Sequence, residues 1–341
     1  MTIRVVSERF TFNSATDTGT LQGRLYLPCR EDTGEKDIAV LPVRCLVQIV
    51  HGMAEHMERY HLFASWLTVQ GCAVCIFDLP GHGSSAASQE NLGFFAYPDG
   101  HKKVLEDVAR AADLCFNRLR QLLPKQKKPP YIIFGHSMGS FIARLYSTRP
   151  AHPLAGAVYC GTSGRNPAAL LGQLLARGTI LLRGPRHRAL RLASITAAGN
   201  LKRIDHARTP WDWLSRDPAV VEAYIADPLC GFPFTASGYL DLFTWLRQVT
   251  GRDWQQQLTA HLPILLLYGG QDPVGQYGKG PKQLSRSLAS AGHPVTLKGY
   301  PDSRHEVLNE LNCQDVWHDV ASWIQSITAD AGSQQKSEGG R

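Results

Sequence analysis

The sequence predicts an α/β fold: a mostly parallel, eight-stranded sheet with helices on both faces and an inserted, mainly helical cap. Three observations carry that expectation. Short continuous apolar runs alternate with segments of helical periodicity, the pattern of strands buried on both faces. The alternation breaks for about a hundred residues between the apolar runs that end at Cys160 and begin at Pro263. The length, 341 residues, also exceeds the roughly 250–300 that one hydrophobic core organises. The expected division is a core of 1–162 and 260–329, a cap of 163–259, and a polar disordered tail of 330–341.

Val5–Phe12 and Thr20–Pro28 read as an antiparallel opening pair, followed by a charged loop, Cys29–Arg44. Cys45–Val50 is a short buried strand ending in His51-Gly52. His61–Gln70 has helical spacing (Leu62, Trp66, Leu67) and Gly71 suits its C-terminal cap. Ala73–Phe77 is the next strand, and Gly100–Leu123 a helix with Val104, Val108, Ala111, Cys115 and Leu119 on one stripe. Tyr131–Phe134 is a strand and Ser140–Thr148 a helix. Ala155–Cys160 and Pro263–Tyr268 are strands, Val295–Tyr300 a weaker one, and Asp315–Thr328 closes as a helix.

With 43% hydrophobic and 19% charged residues, the chain has enough apolar material for a packed core and too little charge for a disordered one. The formal charge is +7, and residues 163–216 alone hold ten Lys/Arg against two acids. The basicity therefore belongs to the cap; it suits acidic surfaces such as lipid head groups and does not amount to a nucleic-acid signature. The eight cysteines are scattered through apolar runs, which reads as reduced, buried thiols. Cys72 and Cys75 are three apart on a strand, so their side chains face opposite ways and cannot chelate together. No metal and no cofactor is expected. The N-terminus lacks an apolar export segment and no run is long enough to span a bilayer, so the expected location is the cytoplasm, with peripheral membrane contact through the cap as an extension.

Gly135-His136-Ser137-Met138-Gly139 is a GxSxG. Alone it is weak, but it follows an apolar strand and opens a helix, the setting of a nucleophile elbow. A serine hydroxyl needs a base, and the base an orienting acid. In this arrangement the chain order is Ser, acid, His. Asp272 follows the Pro263–Tyr268 strand and His305 follows Val295–Tyr300, so both sit at the strand ends that carry Ser137. His305 is the expected general base and Asp272 its orienting acid; Asp302 and Glu306 are competing acids, too near in sequence to reach the far ring nitrogen. His51 and His82 read as backbone-fixing residues in tight loops, and His136 as packed beside the nucleophile and turned from it. The oxyanion donors expected are the backbone N–H groups of Met138 and Met53. Asp78-Leu79-Pro80-Gly81-His82-Gly83 reads as scaffold, since a phosphate loop's lysine and spacing are missing.

Together His51-Gly52-Met53-Ala54-Glu55-His56 with Arg59-Tyr60, the Asp78–Gly83 turn, Gly135–Gly139, Asp272 and His305 resemble the α/β-hydrolase family. Within it they are most similar to the monoacylglycerol lipase/lysophospholipase-like branch, often grouped with serine aminopeptidase S33-type sequences. The likeness spans about residues 20–328, and the motifs are specific as a set. Asp227-Pro228-Leu229-Cys230 resembles a segment joining helices in such caps. Met53 and Ala54 depart from the small residues common in that loop, which implies a narrower acyl side. The resemblance implies hydrolysis of carboxylic esters of single-chain lipids, lysophospholipid or monoacylglycerol, or of similar small esters.

In the cap, Leu170, Leu171, Leu174, Leu175, Leu181 and Leu182 share a helical face flanked by Arg177 and Arg183. Either that face meets an anionic lipid surface or it packs on the core beneath a basic exterior. Trp211, Trp213, Phe232, Phe234, Tyr239, Leu242 and Phe243 line an acyl tunnel or form cap core, with core favoured for most. The alternatives on the same triad are an amidase or aminopeptidase, and an acyltransferase; a binding protein that has lost catalysis is the remaining reading. Oligomeric state is left open.

Overall fold

The structure, a computed structural model, describes residues 3–16, 18–30, 39–251 and 254–338, with side chains as far as 329. Among the described residues one eight-stranded sheet forms, ordered β1-β2-β4-β3-β5-β6-β7-β8. β1 (Ile3–Asn13) and β2 (Thr20–Arg30) pair antiparallel, and β2 runs antiparallel to β4 (Cys72–Phe77). The rest is parallel: β4 on β3 (Cys45–Val50), then β5 (Tyr131–His136), β6 (Leu154–Cys160), β7 (Ile264–Gly269) and β8 (Val295–Tyr300). Most of the expected charged loop, 31–38, and Met1 and Thr2 lie outside the described residues.

The parallel strands read as unbroken apolar runs because both faces are covered. β3 shows the division: Leu46 and Val50 join one core cluster, Cys45, Val47 and Ile49 the other. Cys72 and Cys75 fall into opposite clusters, as the pleat requires. One face is covered by α2 (Gly100–Leu122), α3 (Met138–Tyr146) and α8 (Lys279–Ser290), the other by α1 (His61–Val69) and α9 (Cys313–Glu338). The closing helix carries its backbone to Glu338, into residues expected to form the tail; 339–341 lie outside the described residues. α8 is an element the sequence pattern does not announce. Its Gly280 and Pro281 read as a turn, yet both occupy the first helical turn, where no intrahelical bond is asked of an N–H.

Between β6 and β7 lie α4 (Ala168–Arg183), α5 (Leu190–Ala197), α6 (Pro218–Ala226) and α7 (Ala236–Thr250). α7 is the buried one, with Tyr239, Trp245 and Val249 in the main core cluster. α4 packs on α7 through its small side: Ala169, Gly172 and Ala176 are buried, and a Cβ on Gly172 would lie 2.6 Å from the Phe243 ring. That close approach turns the leucines outward. Leu170, Leu171, Leu174 and Leu175 are exposed, and Leu181 and Leu182 are 87% and 80% exposed. The leucine face is therefore not packed on the core, contrary to the second of the two expectations for it.

Strand β3 has β4 on one side and β5 on the other, so the loops leaving β3 and β5 diverge and open a crevice at their C-terminal ends. The candidate site lies there.

Candidate active site

Ser137 is the single residue between β5 and α3. The strand runs two residues further, and the helix starts two residues earlier, than the apolar pattern predicts. The whole reversal falls on Ser137, at φ 52° and ψ −121°, a region an L side chain enters only under strain. The flanking glycines permit it. A Cβ on Gly135 would stand 2.3 Å from the Gly139 carbonyl oxygen, and one on Gly139 would stand 2.1 Å from the Val50 carbonyl oxygen. Helix α3 thus folds back against its own strand while resting on β3. The Ser137 N–H donates to the Cys160 carbonyl at 2.9 Å, which fixes the turn to β6.

His305 leaves β8 in the following loop and is 2% exposed; Asp272 leaves β7 and is fully buried. The two are joined: His305 Nδ1 lies 2.9 Å from Asp272 Oδ1. A carboxylate only accepts, so Nδ1 carries the proton and Nε2 is the free acceptor. Asp272 Oδ1 also accepts from the Val274 N–H at 2.8 Å, which aims the carboxylate. Of the competing acids, Asp302 is exposed, and Glu306 spends both oxygens on Arg59 at 2.7 Å.

Ser137, His305, Met53 and Met138 line one cavity of about 780 Å³. Met138 is the first residue of α3, whose N–H has no intrahelical acceptor. Beside Met53, the Gly52 N–H donates to Glu55 Oε1 at 2.5 Å and the Ala54 N–H to His82 Nε2 at 3.4 Å. Among the described residues no acceptor is recorded for the N–H of Met53. Two backbone donors at the floor of the cavity are thus uncommitted.

Two histidines face this cavity, and their surroundings separate them. Burial disfavours a charge on His305, but the Asp272 carboxylate, helped by Glu306 and Glu55, more than offsets it and raises its pKa. His136 has burial and the neighbouring His305 against it, and is pushed down to about 4. Its ring sits 5.0 Å from that of His305 and lines the cavity. Gly161, at φ +58°, lets both rings pack: a Cβ there would meet His305 Cε1 at 3.1 Å and His136 Cε1 at 3.2 Å. His51 and His82 do hold backbone. His51 Nε2 accepts from the Leu79 N–H at 3.0 Å, and His82 Nδ1 lies 3.0 Å from the Pro80 carbonyl. Asp78 accepts from the N–H groups of Met57 and Ser84, both at 2.7 Å, and is scaffold.

A buried ion network behind the site was missed in the sequence. Arg59 donates to Glu55 at 2.8 Å and, bidentately, to Glu306; Tyr60 donates to Glu55 at 2.8 Å. Burial opposes charge on Glu306, yet the guanidinium prevails and holds its carboxyl well below the usual carboxylate range. The network ties the Met53 loop to the His305 loop. Its sequence signal was present: Glu55 and Arg59 stand at i,i+4, and Glu306 adjoins His305.

Of the residues expected to form cap core or an acyl tunnel, Phe234, Tyr239, Leu242 and Phe243 are buried in the main core cluster, as favoured for most of them. Tyr239, Leu242 and Phe243 also border the cavity, together with Trp211, Trp213 and Phe232. Leu171, Leu175, Leu190 and Leu192 close its upper side.

The sequence profile of the family described as serine aminopeptidase, S33, matches residues 42–312. A monoacylglycerol lipase of Mycolicibacterium smegmatis is 30% identical over 83% of this chain and 89% of its own length. A monoglyceride lipase of Rattus norvegicus is 26% identical over 85% of each chain. Among solved structures, a thermostable carboxyl esterase from Bacillus coagulans is 30% identical, with a TM-score of 0.83 over 95% of this chain and 99% of that one. The chain belongs to the serine aminopeptidase S33 family of α/β-hydrolases, in its monoacylglycerol lipase-like branch, and is a carboxylic-ester hydrolase.

Proposed function

We propose that the protein hydrolyses monoacyl lipids, lysophospholipid or monoacylglycerol, or similar small esters, with Ser137 as nucleophile, His305 as general base and Asp272 as its orienting acid. The observation that carries the reading is the buried His305–Asp272 pair opening, with the strained Ser137, into one leucine- and aromatic-lined cavity. Nε2 of His305 takes the hydroxyl proton as Oγ attacks the ester carbonyl. The developing oxyanion is met by the N–H groups of Met53 and Met138. Collapse expels the alcohol, which receives the proton from His305, and leaves an acyl-enzyme. Water, deprotonated by the same imidazole, then releases the acid and restores Ser137. No step calls for a metal or cofactor.

The cavity argues against an aminopeptidase. A free amine needs an uncommitted anion, and the two carboxylates that line the cavity, Glu55 and Glu306, are both engaged by Arg59. The long apolar wall favours an acyl chain. Each methylene it buries is worth up to about 0.8 kcal/mol, about fourfold in kcat/KM. A panel of p-nitrophenyl esters from acetate to palmitate, beside monoacylglycerol and lysophosphatidylcholine, will show kcat/KM rising with chain length beyond butyrate. A preference confined to acetate and butyrate would defeat the lipid reading.

Leu170, Leu174, Leu181 and Leu182, the exposed leucines of α4 that do not line the cavity, form with the exposed Arg177, Arg183 and Arg191 the face by which the enzyme meets an anionic lipid surface. Not all the cap's arginines serve it. Arg188 is spent on the carbonyls of Gln89, Glu90, Leu92 and Pro233, and Arg186 on Asn91 and the Phe94 ring. Among the described residues no helix is long and apolar enough to cross a membrane, so the contact is peripheral. Replacing both Leu181 and Leu182 by Ser will lower co-sedimentation with phosphatidylglycerol-containing vesicles about tenfold or more. Unchanged sedimentation would remove this surface from the account.

A further inference from the structure

We infer that Trp213, a cap residue, is a positioning residue for the catalytic imidazole of His305; the inference rests on the hydrolase reading above. The two rings lie 4.9 Å apart between centroids with an interplanar angle of 36°. The contact is part of a seam. The His305 N–H donates to the Trp213 carbonyl at 3.3 Å, and the Glu306 N–H to the Leu214 carbonyl at 2.8 Å. The Arg304 guanidinium reaches the carbonyls of Asp212 and, at 2.9 Å, Ser215. Ser215 Oγ donates to the Asn309 carbonyl at 3.0 Å, and Arg216 Nε to the buried Glu310 at 2.9 Å. The segment from Asp212 to Arg216 is therefore built into the loop that carries the base.

The same fixing extends along the cap. Tyr224 Oη and the Gly231 N–H both donate to the Ala54 carbonyl, at 3.0 and 2.9 Å, and His56 pairs with Asp227 at 2.8 Å. These bonds hold the loop of Met53 as the first seam holds His305. Both loops that the chemistry needs are thus braced from above by one stretch of the insertion, 212–231. α4 and the exposed part of α5 stand outside that brace.

The ring does two things for His305. It blocks the swing that would take Nδ1 from Asp272, and its π-face favours the imidazolium formed during proton transfer. The charged and titratable groups around the imidazole are Asp272 from the end of β7, His136 from the end of β5, Glu55 and Arg59 from the loop after β3, and Glu306 beside it. Arg59 is neutralised by the two glutamates, and His136 stays neutral above about pH 4. The acid limb of activity therefore reports His305.

The test compares wild type, Trp213→Leu and Trp213→Phe on p-nitrophenyl butyrate, with nitrogen-15 imidazole NMR titration of each protein. Leu keeps an apolar side chain, though a smaller one, and removes the ring. It will lower kcat about tenfold, leave KM within about twofold, and move both the acid limb and the NMR titration of His305 to lower pH. Phe keeps a ring and will restore most of kcat and of the titration. Unchanged kcat and titration in Trp213→Leu, with only KM altered, would reduce Trp213 to a wall of the cavity and overturn the inference; so would loss of kcat in both variants without movement of the titration. If wild type turned over no ester at all, the hydrolase reading would fail, and the NMR titration would still decide whether Trp213 holds the imidazole.

Discussion

Ser137→Ala will lower ester turnover by roughly four to six orders of magnitude and abolish labelling by a fluorophosphonate probe. The argument is chemical. In the proposed mechanism the Ser137 hydroxyl is the group that attacks the ester, and a methyl group in its place offers nothing to acylate. What remains is the contribution of the oxyanion donors and of substrate binding, which survives removal of the nucleophile. The fold will persist, because the elbow is set by Gly135, Gly139 and the Ser137 backbone bond to Cys160, none of which uses the hydroxyl. Equal labelling of variant and wild type would remove Ser137 as nucleophile.

Asp272→Asn comes next in size, at about four orders of magnitude in kcat. The amide nearly matches the carboxylate in shape, so the loop after β7 stays in place. Its NH2 can donate to Nδ1, which would shift the imidazole proton to Nε2, where a base is needed. The pH behaviour follows from the same contact. Asp272 is what raises the pKa of His305 against burial. Wild-type kcat/KM will therefore rise with pH through a limb above the ordinary imidazole value of about 6.5, and any residual activity of the variant will show that limb at lower pH. The sign for stability is the matching one: a raised histidine pKa contributes stability that is full below about pH 6.5 and fades as pH passes the folded-state value. Near-wild-type activity in Asp272→Asn would mean that another acid serves. Glu306 is the neighbour to examine, and its commitment to Arg59 argues against it.

Much of this candidate site is legible in the sequence, for a local reason. The elbow requires small residues at Gly135 and Gly139 whatever the rest of the chain does, and each candidate partner directly follows an apolar strand. Strands buried on both faces leave unbroken apolar runs, so Cys45–Val50 could be read to the residue. Elements held by long-range packing were harder. α8 carries a glycine and a proline in its first turn and is held by packing against β7 and β8. The leucine face of α4 was visible as a face, but not which way it looked.

The sequence by itself determined that the strands run mostly parallel, the turn that strains Ser137, and the chain order of Ser137, Asp272 and His305, because each follows from residue type and spacing over a few positions. Only the tertiary structure decided that Gly172 draws α4 against Phe243 and turns the leucines outward, that Arg59 binds Glu55 and Glu306, and that Trp213 lies over His305. Those contacts join residues far apart in the chain. Their energies depend on shape and distance after folding, which composition and periodicity do not contain.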